Sequence, residues 1–562
     1  MTDILERVMK EIPQNIKSAV FEGANIVLYT DNENFFLNGE SKIKEIVSKI
    51  KKRIDLRADE SLLSTQKEAK KKIKEIVPED AKITNIHFEQ KRSIVIIEAK
   101  KPGMVIGKKG SVLEEIKKAT KWIPEVQRSP AIRSKITENI KSVLYQNNDY
   151  RRKFLNKVGK KIYKEWSPEK VDEWVRLTIL GGGRQVGRSC LLLHTPESKI
   201  LLDCGIDVAG KGKDQFPFMN VSEIEINDID AVILSHAHLD HSGLIPYLYK
   251  MGYKGPCYMT APTRDIASLL ALDFIGVSYK QAASPIYKNK DVREMVKHTI
   301  CLDYNEVSDI APDVRLTFYN AGHVLGSSMA HLNIGNGLHN LLYAADFKNG
   351  KTRLLNPASK KFPRLETAII ESTYGSKKDK LPPREKAEKE FIGEIKKTIK
   401  KGGKVLLPEL GLGHAQETMV RVAEEMRKGK MPKVPVYVDG MIWDINAIHT
   451  AYPEFLSGHL KNQIFQGNNP FSSDIFNRVG SHQERKEVIE GGPCIVIATS
   501  GMLVGGASVE YFKNFAENPN NLMILSSYQG KGSLGREVQE GAKKVEIENN
   551  GDVDRVEVNL KV

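Results

Sequence analysis

Residues 231–243 read Ala231-Val232-Ile233-Leu234-Ser235-His236-Ala237-His238-Leu239-Asp240-His241-Ser242-Gly243. The apolar run at the front is what a strand covered on both faces requires, and the end of such a strand is where layered α/β sheets place their ligands. Four metal-competent side chains, His236, His238, Asp240 and His241, follow within six residues. Neutral imidazole and carboxylate suit zinc, and alternate positions can face one ion while the others reach a second a few ångströms away. Only 13 histidines occur in 562 residues, so chance clustering accounts poorly for three of them here.

Two downstream elements could complete such a site. Ala321-Gly322-His323-Val324-Leu325-Gly326-Ser327 sets a histidine between glycines, and Tyr343-Ala344-Ala345-Asp346-Phe347 ends a strand on a carboxylate. Upstream, Leu201-Leu202-Asp203-Cys204-Gly205 has the same strand-end character, and its aspartate could hold a ligand histidine from behind. Each of the three is ordinary in isolation, since a lone His or Asp at a strand end is usually a satisfied turn residue.

Outward from this centre, length and composition call for three or more packed units in a globular chain. The five cysteines are scattered without a Cys-x-x-Cys pair, which argues against a disulfide framework and a thiolate metal site. No run of about 18 uncharged apolar residues is present. The N-terminus lacks the apolar stretch of a signal peptide, so a soluble cytoplasmic protein with no membrane partner is expected. The net charge of +14 is uneven: residues 101–170 hold 18 Lys/Arg against 7 Asp/Glu, which implies a polyanionic partner for the N-terminal part.

That part reads as two small α+β units, 1–72 and 73–140. In the first, a strand at Asn25-Ile26-Val27-Leu28-Tyr29 precedes a helix capped by Ser41, with Ile43, Ile46, Val47, Ile50 and Ile54 on one face. The second has a helix over 67–77, strands over 82–86 and 93–97, and then Gly107-Lys108-Lys109-Gly110. Ser111 and Glu114 form the pattern of a capping box, so this loop should open a helix. A Gly-x-x-Gly loop before a helix lets the backbone approach a sugar-phosphate chain and is the signature of KH domains. The first unit offers only Asn38-Gly39-Glu40-Ser41, with an acid where phosphate would lie, and is expected to be degenerate. A basic connector, 141–172, leads to the catalytic body. After Lys380-Leu381-Pro382-Pro383 a charged helix opens a further unit, with strands at Val405-Leu406-Leu407, Val436-Tyr437-Val438, Ile495-Val496-Ile497 and Met523-Ile524-Leu525. That order suggests an inserted, mostly parallel sheet.

His-x-His-x-Asp-His, the later Gly-His, the strand-terminal Asp and the early strand-Asp-x-Gly together resemble the metallo-β-lactamase fold. Glu371-Ser372-Thr373-Tyr374-Gly375 is similar to the first motif of its nucleic-acid-cutting β-CASP branch, and the KH-like units point to the archaeal ribonucleases of that branch. The resemblance implies an α/β architecture: an αββα sandwich (173–378) with an inserted β-CASP domain (379–555), a resumption of the sandwich (556–562) and two KH-like domains in front. It implies two zinc ions, one on His236, His238 and His323, the other on Asp240 and His241, with Asp346 between them. Asp240, Asp203 and Glu371 would be catalytic or supporting, and Gly107, Lys108, Lys109 and Gly110 would bind RNA. Further implications are endonucleolytic and 5′-to-3′ cleavage of nascent RNA in transcription termination, RNA polymerase and its elongation factors as partners, and a homodimer at full length.

Family members continue with two more functional histidines. Here the last histidine is His482, so the second zinc site is expected to be incomplete. His414, in Gly411-Leu412-Gly413-His414, stands where the family has an arginine that contacts RNA. The residues also admit a catalytically impaired RNA-binding protein, and the KH-like units argue against a small-molecule hydrolase.

Overall fold

The computed structural model describes residues 4–12, 15–164, 174–208, 210, 212–280, 283–377, 379–380, 382–471, 474–549 and 552–562. The first unit runs α1 (Ile4–Glu11), β1 (Ser18–Glu22), β2 (Asn25–Thr30), α2 (Glu33–Asn38), α3 (Glu40–Ile50) and β3 (Ile54–Ala58). Its sheet has the order β1-β2-β3, with β3 parallel to β2. The helix expected to reach Ile54 is shorter. It starts at Glu40 behind Gly39, so Ser41 is no cap, and stops where Lys51 turns left-handed at φ 58°. Ile54 instead pairs with Ile26 and begins a strand, where a buried β-branched side chain packs well.

The second unit comprises α4 (Gln66–Ile76), β4 (Ile83–Glu89), β5 (Ile94–Ala99), α5 (Pro102–Ile106), α6 (Ser111–Thr120) and β6 (Ile123–Arg128), in the sheet order β4-β5-β6. A capping box between Thr65 and Glu68 opens α4. The box expected at Ser111 is not formed, because Gly110 is the cap and Ser111 already has helical angles.

The stretch expected to be a connector is largely structured. Residues 141–164 fall mainly in α7 (Lys135–Gln146) and α8 (Asn148–Ile162), while 165–172 lie outside the described residues. α8 is part of the first unit's core: Phe154, Leu155, Val158 and Ile162 pack with Phe21, Ile26 and Leu28. Its Arg151 is turned inward, donating to the carbonyls of Lys297 (2.7 Å) and Thr299 (3.2 Å). Part of the basic charge therefore serves packing, because α8 is amphipathic and must cover both the first unit and the sandwich behind it.

The sandwich begins with β7 (Arg176–Gly181), β8 (Cys190–His194), β9 (Lys199–Leu202), β10 (Ala231–Ile233), α9 (Leu239–Ser242), α10 (Ile245–Lys250), β11 (Cys257–Met259), α11 (Ala261–Lys280), α12 (Asn289–His298) and β12 (Thr299–Cys301). Its second sheet holds β13 (Val307–Ala311), β14 (Val314–Asn320), β15 (Ser328–Ile334), β16 (His339–Tyr343) and β17 (Thr367–Ile369). Leu193, Leu202 and Ile233 of the first sheet meet Leu316, Ala330 and Leu332 of the second in the dry centre. The ends of β9, β10 and β16 converge on one rim, and that convergence positions the site.

The inserted unit contains α13 (Arg384–Lys400), β18 (Val405–Pro408), α14 (His414–Arg427), β19 (Val436–Asp439), α15 (Ile442–Ala451), α16 (Gly458–Phe465), β20 (Phe476–Val479), α17 (His482–Glu490), β21 (Ile495–Ala498), α18 (Ala507–Phe515), β22 (Leu522–Met523) and α19 (Leu534–Gln539). The sheet order is β20-β19-β21-β18-β22, parallel throughout. A hairpin, β23 (Lys544–Asn549) and β24 (Asp552–Glu557), follows. The residues expected to resume the sandwich do not: Val556, Val558 and Leu560 bury against Tyr511 and Phe515, and Lys561 bridges to Leu522. Their apolar side chains find the nearer core, that of the inserted unit. No helix among the described residues is long and apolar enough to cross a membrane.

The two N-terminal units are joined by a buried ion cluster. Arg57 forks onto both oxygens of Glu22 (2.8 and 2.9 Å), and Arg92 does the same from the second unit (2.8 and 2.6 Å). Burial opposes the charge on Glu22, but the two guanidinium groups hold its carboxyl down at about 2 against an ordinary 4.5. A depressed carboxyl stabilises the fold above its unfolded value, and that contribution is lost as the pH falls. The junction should therefore be intact above about pH 4.5 and should loosen progressively towards pH 2. Hydrogen exchange of the β1 and β5 amides across that range is the check, with Glu22→Gln removing the dependence.

Candidate metal centre

His236 lies three residues past the end of β10 and is fully buried. The Ser235 hydroxyl donates to Asp203 Oδ2 (2.7 Å) and lies 3.0 Å from His236 Nδ1, which sets Nδ1 as that ring's protonated nitrogen and leaves the Nε2 lone pair facing the rim. His241, at the end of α9, donates from Nδ1 to Asp203 Oδ2 (2.6 Å), which fixes its tautomer in the same way. Asp203 also accepts from the Ser235 N–H (2.7 Å) and the Tyr343 hydroxyl (2.8 Å). The loop carrying the histidines lies so close to Gly205 that a Cβ there would stand 1.7 Å from the Asp240 carbonyl oxygen. Gly322, at φ 66°, gives the loop that brings in His323 a conformation disfavoured for other residues.

Three imidazole nitrogens meet at the rim. His238 Nδ1 is 3.2 Å from both His236 Nε2 and His323 Nε2. Nitrogens bound tetrahedrally at about 2.0 Å from one zinc ion lie about 3.3 Å apart, so the spacing fits that ion. Asp346 divides its oxygens. Oδ2 lies 3.8 Å from His236 Nε2 and 3.5 Å from His323 Nε2, while Oδ1 lies 3.5 Å from His241 Nε2. Asp240 Oδ2 is 3.7 Å from the same His241 nitrogen. The donors thus form two sets, His236/His238/His323/Asp346 and Asp240/His241/Asp346, each with its ligand atoms within 4.8 Å of one another.

Electrostatics suit cations. Burial drives His236 well below the usual imidazole range and His323 down to about 3, so both offer lone pairs at neutral pH. Burial opposes the charged form of His241 too, but the carboxylates of Asp240 and Asp203 carry it well above that range. Burial also opposes the charge on Asp346, yet the hydrogen bond to His241 and the surrounding imidazoles hold its carboxyl well below the usual range. A metal ion at the second set would replace the proton on His241 as the counter-charge.

Of the residues singled out from the sequence, His236, His238, Asp240, His241, His323 and Asp346 come together, and Asp203 stands behind His241. Glu371 does not join them. It is exposed, accepts from the Thr373 N–H (2.7 Å), and among the described residues no hydrogen bond or ion pair ties it to the cluster. Ser235 and Tyr343 escaped the sequence reading, and only their places beside the motif residues hinted at them. Leu412 and Gly413 escaped it as site neighbours because they come from the inserted unit: a Cβ on Gly413 would meet Val324 Cγ1 at 2.9 Å, next to His323.

In the second unit, Lys108 and Lys109 are exposed at the tip of their loop. Gly107, Lys109 and Gly110 all have positive φ, 73°, 54° and 82°. A Cβ on Gly107 would strike the Val112 N–H at 2.8 Å, whereas Gly110 faces open space into which a backbone could approach.

Sandwich, inserted parallel sheet and rim histidines define a β-CASP protein of the metallo-β-lactamase superfamily with paired KH domains. Family models agree: a metallo-beta-lactamase superfamily domain matches residues 192–371, a Beta-Casp domain 415–538, the KH domain of transcription termination factor FttA 1–63, and a KH domain 68–143. Transcription termination factor FttA of Methanothermobacter thermautotrophicus is 49% identical over 99% of this chain and 88% of its own length. Its namesakes in Methanocaldococcus jannaschii and Thermococcus kodakarensis are each 47% identical over all of this chain and over 89% and 88% of their own lengths. The chain belongs to the FttA family.

Asp203→Asn should be costly. An amide presents N–H₂ to groups that are themselves donors, and breaking a buried charged pair of this kind costs about 3 kcal/mol. Urea unfolding in the presence of a chelator measures this without interference from metal.

Proposed function

We propose that this chain is a zinc-dependent ribonuclease that cuts nascent RNA endonucleolytically, with 5′-to-3′ degradation from the new end, during transcription termination. The observation that carries this reading is the pair of donor sets sharing Asp346. His236, His238 and His323 would hold one ion, Asp240 and His241 the other, and Asp346 both. Bound there, two zinc ions would supply Lewis acidity that activates water near neutral pH and offsets charge on a phosphodiester. Asp240 would also orient the attacking water, and Asp203, which accepts from His241 Nδ1, would hold that ring in the ligating tautomer. The Gly107–Gly110 loop would take the RNA backbone. RNA polymerase and its elongation factors are the proposed protein partners, in the cytoplasm, with the family's homodimer as the assembly.

The protein purified without chelator should contain zinc, with the site of His236, His238 and His323 better occupied than that of Asp240 and His241, and should cleave labelled RNA. Asp346→Asn should lower the single-turnover rate by at least about 100-fold, the upper end of what even an outer partner of a metal ligand costs. RNA that binds but stays intact with both ions present would overturn the nuclease reading.

Changing Lys108 and Lys109 to Asp should weaken RNA binding at low salt. Each phosphate left without its lysine lowers the slope of log affinity against log salt by about 0.7. Titrations at several salt concentrations check this, and an unchanged slope would mean that the loop does not touch RNA.

A further inference from the structure

The rim of the first sheet carries more than the metal ligands. β8 runs antiparallel to both of its neighbours, so the end of β7 and the start of β8 lie on the same rim as the end of β9. β7 stands two strand spacings, about 10 Å, from β9. The loop between β7 and β8 bonds the ligand loop directly: the Ser189 N–H donates to the Asp240 carbonyl (2.8 Å), and the Ser189 carbonyl accepts from the Gly205 N–H (3.0 Å).

Arg188, next to Ser189, is buried without an acid. It is 8% exposed, and among the described residues no carboxylate forms an ion pair with it. Its guanidinium donates to the Phe216 carbonyl (2.9 Å) and to Gln185 Oε1 (3.2 Å), while Nε has no partner. Burying a cation so thinly satisfied is costly, and a ring laid on it offsets part of that cost. The ring is that of Phe218, whose centroid lies 4.8 Å from the guanidinium carbon.

Phe218 itself is 62% exposed, so the face away from Arg188 is open. Its backbone is pinned. The Phe218 N–H donates to the Leu180 carbonyl (2.9 Å), and a bond from the Met219 N–H to the Pro217 carbonyl (2.9 Å) closes a three-residue turn with Phe218 at its tip. Ile179, at the end of β7, and Val186, in the loop after it, are also exposed, and Arg184 adds an exposed cation. Aromatic faces that stack bases, set among cations that follow the phosphates, are how single strands are held.

We propose that Phe218 is a substrate-binding residue: its open face stacks one nucleobase of single-stranded RNA adjoining the phosphate that is cut, while Arg188 holds the ring from beneath. This rests on the proposed ribonuclease function and deepens it, because it gives one base a fixed seat beside the metal centre. Stacking accepts any base, so the seat sets the register of the strand and not its sequence.

The test is binding of a short single-stranded RNA to the full chain freed of metal by a chelator, so that the strand stays whole. One abasic nucleotide is moved along a series of otherwise identical strands. Phe218→Ala should weaken binding of the intact strand about 5- to 150-fold, the range that loss of one base–aromatic stack covers. The slope of log affinity against log salt should stay the same, since no phosphate contact is lost. At one position the abasic strand should bind the parent and Phe218→Ala alike, and that position should adjoin the cut mapped on the intact strand with zinc restored. Phe218→Trp keeps a ring and should bind within a few-fold of the parent, whereas Phe218→Leu keeps only apolar bulk and should lose most of the affinity. Unchanged affinity of Phe218→Ala would overturn the proposal, as would a parent-like Phe218→Leu, which would make the contact apolar without stacking. So would an equal loss at every abasic position, which would make the ring a support for its own loop, or a coupled position remote from the cut. A parent chain that binds no RNA would overturn the ribonuclease reading itself and the proposal with it.

Discussion

The Asp203 carboxylate is the point on which the centre turns. Four donors reach it, from the Ser235 backbone, the Ser235 hydroxyl, the His241 ring and the Tyr343 hydroxyl, so one buried charge ties together the ends of β9, β10 and β16. An unpaired carboxylate at zero exposure would be prohibitively costly; satisfied by four donors, it becomes a rigid anchor. Because Asp203 orients His241 directly and His236 through Ser235, the direction of two ligand lone pairs depends on it.

Around that anchor the molecule uses charge for two different ends. Exposed lysines at 108 and 109 remain available to a polyanion, whereas Arg57, Arg92 and Arg151 are consumed inside. The first unit is not a free bead ahead of the sandwich. α8 completes its core, Lys52 reaches Asp309 of the sandwich (2.7 Å), and the Tyr163 hydroxyl donates to the same carboxylate (2.9 Å). The second unit then touches the first through Glu22. RNA held at the glycine loop would therefore be held on a body continuous with the metal centre.

Legibility in the sequence followed the range of the interactions. The ligand run 236–241 was plain because four donors sit within one loop. His323 and Asp346 were ordinary residues until their strands were seen to end on the same rim. Residues 141–164 carried an amphipathic pattern, but the density of lysine and arginine obscured it, and only packing revealed two helices. Val556, Val558 and Leu560 alternate as a strand should, yet alternation does not say which core a strand joins. Ser111 and Glu114 had the spacing of a capping box, which failed because the glycine before them took the cap position.

By itself the sequence determined the class of fold, the run of imidazole and carboxylate donors and the glycine loop of the second unit, since these rest on local period, composition and short spacing. Only the tertiary structure decided that Asp346 divides its oxygens between two donor sets, that Glu371 stands apart from them, and that Arg188 lies under the exposed ring of Phe218. Each of those depends on a distance of a few ångströms between residues far apart in the chain. Side-chain chemistry sets what such a contact is worth; packing of the whole decides whether it is made.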